Sequence, residues 1–460
     1  MLVLVLVMKK LLLLAAVAPA FAAVAQDGIL DLTRLPDYAG QEVPGYIQRD
    51  NTPPGNPITN LGATLGRVLF YDKRLSRDDT IACASCHQQE HAFSDLAAAS
   101  AGVAGTTGRH SMRLVNARFG EEARFFWDER AVSLEDQTTR PIQDHVEMGF
   151  SGADGDPGFS DLVSKLAIIR EYQALFAMVY GDPAIDEPRV QHAIAQFVRS
   201  IQSFDSRYDQ GRAQVQRNNE DFPNFTAQEN RGKQLFQSAP RNGGAGCAGC
   251  HRPPEFDIDP DSGNNGVIGT LAGGTDLTVT RSPSLRDLVD PSGAPNGAFM
   301  HDASLGTLLD VINHYNSIPV ENAGLDNRLR GGPGPQGAQL NLSEAQKGDL
   351  VAFLRTLTGS SIYTDARWSD PFDESGNLEL IVLPAGSVSV DFSGVGESRI
   401  ATVAATGVPG LEYSCEASSD LVNWTGHSVT ADQSGALSST LSAPASTAHR
   451  FFRYVYRVPE

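Results

Sequence analysis

Two short segments combine cysteine and histidine in the same order. They are CASCH at Cys83–His87 and CAGCH at Cys247–His251. In a C-x-x-C-H segment the two thiols can bond to the vinyl groups of one porphyrin, and the adjacent imidazole can bind its iron. The sequence therefore predicts two covalently bound c-type haems. The predicted haem-binding residues are Cys83, Cys86, His87, Cys247, Cys250 and His251, with His87 and His251 as ligands of the two irons.

Other uses of paired cysteines fit these segments less well. A thioredoxin-like redox pair would lie between a strand and a helix, and neither segment has that context. A four-thiolate zinc site would need its second pair close by in the chain. Two local disulfides would not require a histidine at the same place twice. The fifth cysteine, Cys415, lies in an alternating segment and is interpreted as a buried apolar residue.

The N-terminus has the features of an export signal. Lys9 and Lys10 precede the apolar run LLLLAAVAPAFA, which is short for a membrane span and ends in small residues. We interpret residues 1–25 as a signal peptide, with an uncleaved membrane anchor as the alternative. No later segment is apolar enough to cross a membrane. These features predict a periplasmic protein without a membrane span after signal cleavage.

The composition is that of a globular protein with an acidic surface. The chain has 460 residues, of which 41% are hydrophobic and 20% charged, and it is long enough for two or three domains. Its net charge of -19 would be repelled by phosphates, which argues against a nucleic-acid partner. The same charge would attract a small basic protein such as an electron carrier.

Each C-x-x-C-H segment ends a weak internal repeat. LGRVLFYDKRLSRDDTIACASCH can be aligned with RGKQLFQSAPRNGGAGCAGCH, because both contain glycine, a basic residue, Leu-Phe and a polar loop. Such a repeat predicts two cytochrome c-like helical domains. TAQE at Thr226 and SEAQ at Ser343 resemble capping boxes that begin helices. Helical spacing of apolar residues in RVQHAIAQFVRSIQSFDSRYD predicts another helix.

From about residue 376 the pattern changes. Short segments of alternating apolar and polar residues are separated by Gly, Ser and Asn turns, which predicts a small all-β, sandwich-like module. The predicted fold is mainly α, with two helical haem domains followed by this module. The predicted boundaries are 1–25 for the signal peptide, 26–215 for the first haem domain, 216–360 for the second, 361–375 for a linker and 376–460 for the β-module.

With both haem segments placed, the chain resembles the bacterial diheme cytochrome c peroxidase family, which includes the MauG-type enzymes. The resemblance runs from about Thr59 to Gly359 and leaves out the β-module. It is carried by LGRVLFYDKRLS, FFWDERAVSLEDQTTRPIQDHVEMG, RSPSLRDLV, FMHDASLGTLLDVINHYN and LVAFLRTLTG. It implies a first, peroxidatic haem domain and a second domain that transfers electrons.

The resemblance implies catalytic roles for four residues near the first haem. Trp127 matches the tryptophan that conducts electrons between the haems, with a core aromatic as the alternative. Gln137 and Glu147 match the polar pair over the open face of the first haem, and Pro141 lies beside them. Peroxide cleavage needs a group that moves a proton from the inner to the outer oxygen, and a carboxylate in an apolar pocket can do this. For Glu147 the alternative is a solvated surface carboxylate.

Many family members carry an inhibitory histidine on the loop after the first haem segment. The corresponding loop here, AAASAGVAGTTG, contains no histidine. His91 is too close in sequence to His87 to reach the opposite face of the haem easily. His110 remains the alternative ligand and stands where family members commonly have asparagine. We therefore expect a first iron that is five-coordinate or binds water and needs no reductive activation.

The segment from His301 to Tyr315 reads as a helix. Peroxidases of the family bind the second iron with a methionine at the position of Tyr315, and MauG-type enzymes have tyrosine there. The resemblance therefore implies Tyr315 as the second ligand of this iron, with His314, or a helix on which both residues simply pack, as the alternatives. A phenolate oxygen favours ferric and higher states, whereas a thioether favours ferrous iron. His301 is expected to fix its loop or bond to a propionate, and Arg281 and Arg286 are further propionate candidates.

A calcium ion lies between the domains in this family. Backbone carbonyls near Asn296 and Ala298 could contribute to such a site, because they do not depend on residue type. However, His110 replaces an asparagine that helps to hold the ion, and histidine is a poor ligand for so hard a cation. The resemblance thus implies calcium, while this departure argues against it.

Three functions are compatible with these features. The first is reduction of hydrogen peroxide to water with electrons from a small periplasmic cytochrome c or copper protein. The second is MauG-like oxidation of a partner protein, which Tyr315 favours but for which no tryptophan precedes CAGCH. The third is a two-haem electron carrier, in which Glu147 would have no task. Because the family is often dimeric, the resemblance also implies a homodimer.

Overall fold

The structure is a computed structural model that describes residues 27–121, 124–319, 322–383, 388–443 and 451–459. The signal peptide predicted over residues 1–25 lies outside these ranges. Within them, no helix is both long and apolar enough to cross a membrane.

The α-helices of the described residues all lie between residues 60 and 355. They are α1 (Asn60–Tyr71), α2 (Cys83–Cys86), α3 (Leu134–Thr139), α4 (Phe159–Ala167), α5 (Arg170–Tyr180), α6 (Glu187–Ser200), α7 (Arg207–Arg212), α8 (Ala227–Gln237), α9 (Leu308–Asn316) and α10 (Glu344–Arg355). No α-helix forms between α8 and α9, although that stretch is described throughout. The fold is therefore mixed, with helices in the first part of the chain and sheets in the C-terminal part.

Both predicted capping boxes begin helices. The Thr226 side chain accepts a hydrogen bond from the Glu229 backbone N–H at 3.2 Å, and Glu229 accepts one from Thr226 at 2.7 Å. Ser343 and Gln346 make the same reciprocal pair at the start of α10. These bonds satisfy backbone donors that the first turn of a helix leaves unpaired. The two helix starts predicted from the sequence are confirmed.

The internal repeat corresponds to two equivalent helix crossings, of α1 on α6 and of α8 on α10. A Cβ added to Gly66 would lie 1.9 Å from the Ala193 carbonyl oxygen, and one added to Gly232 would lie 1.9 Å from that of Asp349. Glycine is needed at both positions because the helix backbones touch there. The glycine shared by the two aligned segments thus has the same packing role in each.

The phenylalanines of the repeat are also equivalent. Phe70 packs on Phe197 with ring centroids 5.1 Å apart, and Phe236 packs on Phe353 at 5.2 Å, with an interplanar angle of 57° in both pairs. The first pair belongs to a hydrophobic core formed mainly by residues 30–201, and the second to a core formed by residues 208–357. Each C-x-x-C-H segment therefore follows a helix that anchors its own core.

The segment predicted as a linker over residues 361–375 packs against the first core. Ile362, Trp368 and Phe372 are buried there, and Trp368 donates a hydrogen bond from Nε1 to the Ser200 carbonyl at 3.1 Å. Its Pro, Asp, Ser and Gly content predicted a linker, and burial of three large apolar side chains holds this segment against the first core. The chain thus returns to the first core before it enters the β-module.

The strands of the described residues are mostly C-terminal. They are β1 (Ile29–Asp31), β2 (Ala101–Gly102), β3 (Gly105–Thr106), β4 (His251–Arg252), β5 (Asp257–Ile258), β6 (Glu379–Ile381), β7 (Ser389–Ser393), β8 (Ile400–Thr406), β9 (Glu412–Ser418), β10 (Thr425–Thr430), β11 (Ala436–Ser442) and β12 (Phe451–Val455). β6 pairs in parallel with β1 rather than with the rest of the module.

Strands β7 to β12 form two three-stranded antiparallel sheets, in the orders β11-β8-β7 and β10-β9-β12. Val403 of one sheet and Tyr413 and Cys415 of the other belong to a single buried cluster. A shared core between two sheets is the arrangement of a small β-sandwich. Cys415 is fully buried, as predicted.

Candidate functional site

A cavity of about 600 Å³ lies beside the first C-x-x-C-H segment. The turn of α2 places Cys83, Cys86 and the following His87 on its wall. His87 Nδ1 lies 3.3 Å from the Phe93 carbonyl oxygen, which orients the ring and leaves Nε2 for a metal. Burial lowers the pKa of His87 to about 4, so its imidazole is neutral and able to bind iron. These residues fit a covalently attached haem.

Glu147 lines the same cavity, together with Gln137 and Pro141. Its position is set by a tight turn in which the Gly149 N–H donates to the Asp144 carbonyl at 2.8 Å. Gly149 has φ +76, a conformation that favours glycine. Glycine in the segment EMG is therefore required by the turn that presents the carboxylate.

The loop AAASAGVAGTTG supports this turn. It contains the β2–β3 hairpin, and between the two strands the Val103 N–H donates to the Glu147 carbonyl at 3.1 Å. A Cβ on Gly102 would lie 2.1 Å from the Val146 carbonyl oxygen, so the hairpin approaches the turn too closely for a side chain there. This loop, which contains no histidine, is thus packed against the backbone that holds Glu147.

The Glu147 carboxyl group is half-buried and has no hydrogen bond or ion pair to any described residue. Burial, together with the nearby Asp144 and against the opposing effect of Arg130, raises its pKa to about 7. A carboxyl group that titrates near neutral pH can both accept and return a proton. The alternative of a fully solvated surface carboxylate does not describe this environment.

Trp127 forms part of the wall between the first cavity and a second one. Its Nε1 donates to the His110 carbonyl at 2.8 Å, and its own carbonyl accepts from the backbone N–H of Arg281 at 3.1 Å. Its ring centroid lies 6.2 Å from that of His301. The indole is therefore fixed in orientation and faces both cavities.

His110 lies in the same wall. Its Nδ1 is 3.0 Å from the Ala97 carbonyl oxygen, and a Cβ added to Gly297 would lie 3.0 Å from its Nε2. These contacts pack the ring against backbone on both sides. His110 lines both cavities rather than the first alone.

The second cavity, of about 120 Å³, is lined by Cys247, His251 and Tyr315. Burial raises the pKa of the Tyr315 phenol, as do the neighbouring Cys250 and Cys247 thiols, so the phenol stays protonated unless a cation binds its oxygen. His251 is neutral, because burial lowers its pKa to about 4. The structure thus brings the predicted thiols, proximal histidine and tyrosine together.

His314 is placed differently from Tyr315. It does not line the second cavity, and its Nε2 lies 2.9 Å from the Asn265 carbonyl oxygen. Met300 does line this cavity, where its Sδ accepts a hydrogen bond from the Asn265 side chain at 3.4 Å. Of the two predicted alternatives, Tyr315 is the residue that faces the cavity.

The prediction of a helix from His301 to Tyr315 is wrong for its first half. The helix α9 begins only at Leu308, after the N-cap Thr307. Met300 and Ala303 have φ of 69 and 53, which a helix does not allow. His301 fixes this irregular loop, because its Nε2 lies 2.8 Å from the Gly269 carbonyl oxygen.

The two arginines predicted to bind propionates have different surroundings. Arg281 lines the first cavity, with its guanidinium 4.8 Å from the Phe125 ring centroid. Arg286 lines neither cavity and is completely buried, where it bonds to both oxygens of Asp209 at 2.8 and 3.0 Å and to the Pro254 carbonyl at 3.0 Å. Its two terminal nitrogens are therefore committed to protein atoms, which does not fit a propionate-binding role.

The chain is similar to several known proteins. A family model described as di-haem cytochrome c peroxidase matches residues 60–217. The methylamine utilization protein MauG of Methylophilus methylotrophus is 31% identical over an alignment of 327 residues that covers 68% of this chain and 87% of that protein. The cytochrome c551 peroxidase of Nitrosomonas europaea is 28% identical and covers 65% of this chain and 80% of its own length.

A solved structure is similar as well. It is a MauG-like protein associated with microbial copper homeostasis, with a TM-score of 0.57, 30% sequence identity and coverage of 72% of this chain and 98% of its own. The chain belongs to the di-haem cytochrome c peroxidase family. It is a peroxidase-type oxidoreductase, and membership of the family implies two c-type haems.

Calcium, which the resemblance to this family also implied through backbone carbonyls near Asn296 and Ala298, stays a prediction. Asn296 uses its amide NH2 to donate to the Asp287 carbonyl and to Tyr363, both at 2.9 Å, which leaves one amide oxygen unpaired. Among the described residues there is no group of three or more His, Cys, Asp or Glu that could hold a metal ion. Calcium takes six to eight oxygen ligands as a rule. The implied ligands are backbone carbonyls, which do not depend on such a group.

One buried residue of this di-haem peroxidase was missed from the sequence. Arg113 lies in SMRLV, lines both cavities and is only 8% exposed. The available signal was a single cation inside an apolar run. Arginine is almost never fully buried unless it is paired, so a buried Arg113 implies a partner for its charge.

Proposed function

We propose that the protein reduces hydrogen peroxide to water at the first haem site, with electrons from a small periplasmic donor protein. The observation that carries this proposal is the half-buried, unpaired carboxyl group of Glu147 in the cavity beside Cys83, Cys86 and His87. An electron carrier has no use for such a group. A peroxidase needs it.

The residues around the first cavity have different roles in the reaction. A haem attached there would supply an iron with an open position for peroxide. Glu147, as carboxylate, accepts the proton of the inner peroxide oxygen and returns it to the outer oxygen, which leaves as water. Gln137 orients the peroxide, and Pro141 excludes water from one side. Each peroxide takes up two electrons and two protons and gives two waters.

Electrons would enter at the second haem site and pass Trp127, which lines both cavities. The net charge of -19 favours a donor with a basic face, such as a small cytochrome c or copper protein. An exported chain would meet that donor in the periplasm.

The proposal is tested with purified holoprotein, hydrogen peroxide and reduced cytochrome c. We expect catalytic oxidation of two donor molecules for each peroxide consumed. A ferric EPR spectrum of the resting protein should contain a high-spin signal from the open first haem. Two low-spin signals, or peroxide consumption without oxidation of the donor, would contradict the proposal.

The pH dependence of the peroxide reaction is a second test. Burial raises the pKa of Glu147 to about 7, and only its carboxylate can accept the first proton. We therefore expect kcat/KM for peroxide to be low at pH 5, to rise through about pH 7 and to level off above it. Stopped-flow measurements from pH 5 to above pH 7 would show this rise in kcat/KM. A value that is constant across pH 7 would exclude Glu147 as the base.

A MauG-like oxidation of a partner protein is the second candidate. It is favoured by Tyr315, whose phenol faces the second cavity and, as phenolate, would stabilise oxidised iron. The relatives named MauG are also similar over most of their length. In this case peroxide would be consumed without a reduced donor, and mass spectrometry would find oxidised aromatic residues in the partner.

A further inference from the structure

Arg113 lines both cavities, and no other Arg, Lys, Asp or Glu of the described residues does so. Apart from histidine, it is the one titratable cation or carboxylate of the described residues on the wall of the second cavity. It also lines the first cavity, beside Trp127. Its side chain is buried, with 8% of the residue exposed. The guanidinium therefore lies between the two haem sites, away from bulk water.

The Arg113 guanidinium makes no hydrogen bond or ion pair within the described part of the chain, and its Nε is buried without a partner. Asp287 attracts the guanidinium electrostatically, but its Oδ1 accepts from the Gly359 N–H at 2.8 Å and from Tyr363 at 3.2 Å. Other buried arginines are paired: Arg199 bonds to Glu135, and Arg286 to Asp209. Arg113 is the exception to this pattern.

Burial of an unpaired charge destabilises a folded protein. Burial lowers the pKa of Arg113 only to about 10, so the group remains a cation at neutral pH. Asp287 attracts it without forming an ion pair. An anion that binds the guanidinium from the cavity side would pair the charge and remove the destabilisation. Haem carries such anions as its propionates, and both cavities meet at this side chain.

We propose that Arg113 binds a propionate of the haem in each cavity and that its single charge raises the reduction potentials of both haems together. The inference rests on the two haems of the proposed function, but not on peroxide as the substrate. A fixed cation stabilises the reduced state, which has one positive charge fewer on the iron. Arg113 is thus a positioning residue that couples the two sites.

The test is a spectroelectrochemical titration of the holoprotein variants Arg113→Gln and Arg113→Lys. Arg34→Gln is the control, because Arg34 is exposed and lines neither cavity. We expect both midpoint potentials to fall in Arg113→Gln, to stay close to wild type in Arg113→Lys and to be unchanged in Arg34→Gln. A fall of only one potential, or of neither, would overturn the proposal.

A haem count by pyridine haemochrome distinguishes a wrong cofactor content from a wrong role for Arg113. If the wild type holds fewer than two haems, the proposed cofactor content itself fails. If Arg113→Gln alone cannot be loaded, Asp287→Asn decides, because it removes the carboxylate that attracts Arg113 and leaves both cavity walls intact. Both potentials should then rise together, and unchanged potentials would refute the role of Arg113.

Discussion

Replacement of Glu147 by glutamine is expected to lower kcat/KM for hydrogen peroxide by roughly 10²- to 10⁴-fold, the usual contribution of a general acid–base group. Glutamine keeps the size and polarity of the side chain but cannot accept the proton of the inner peroxide oxygen. Stopped-flow absorbance of the Soret band after mixing with peroxide measures this step directly. The dependence on pH around 7 should disappear in the variant, since the group that titrates there is gone.

Glu90→Gln is the matched control for this experiment. Glu90 is an exposed carboxylate close in sequence to the first haem segment, and it does not line the cavity. The control should react with peroxide as fast as the wild type, and both variants should retain two haems. If Glu147→Gln reacts at the wild-type rate, another group moves the proton. The proposed acid–base role would then be lost, even though the protein remains a member of the family.

The parts of the site that the sequence predicted best are those fixed by local chemistry. C-x-x-C-H specifies which thiols and which imidazole share one haem, and the structure brings Tyr315 to the cavity of Cys247 and His251. The capping boxes at Thr226 and Ser343 depend on residues three apart and were equally readable. The haem segments and the capping boxes are thus read from residues close together in the chain, whereas the position of Tyr315 was implied by the resemblance to the family.

The features that were missed depend on distant contacts. The charge of Arg286 predicted a propionate ligand, but Asp209 reaches it from α7 and pairs with it completely. Arg113 shows the reverse, because nothing in SMRLV reveals that its guanidinium lies between two cavities without a carboxylate. Charge is visible in a sequence. Its partner, when it comes from elsewhere in the chain, is not.

Removal of the Tyr315 hydroxyl is expected to change the second haem alone. In Tyr315→Phe the phenolate ligand is lost, so the second iron should become high-spin, and its midpoint potential should rise on the order of 0.1 V or more, within the roughly 0.8 V that axial ligands span. The physical reason is that phenolate stabilises ferric iron and phenylalanine cannot. EPR of the ferric protein and a redox titration measure both effects.

His314→Gln is the matched control, because glutamine can still donate to the Asn265 carbonyl that His314 contacts. Its spectrum and potential should equal those of the wild type. Tyr315→Met should return the second iron to a low-spin state with a raised potential, since a thioether favours ferrous iron. The opposite pattern, with the second haem altered by His314→Gln and unchanged by Tyr315→Phe, would make His314 the ligand. It would also remove the feature that favours oxidation of a partner protein over simple peroxide reduction.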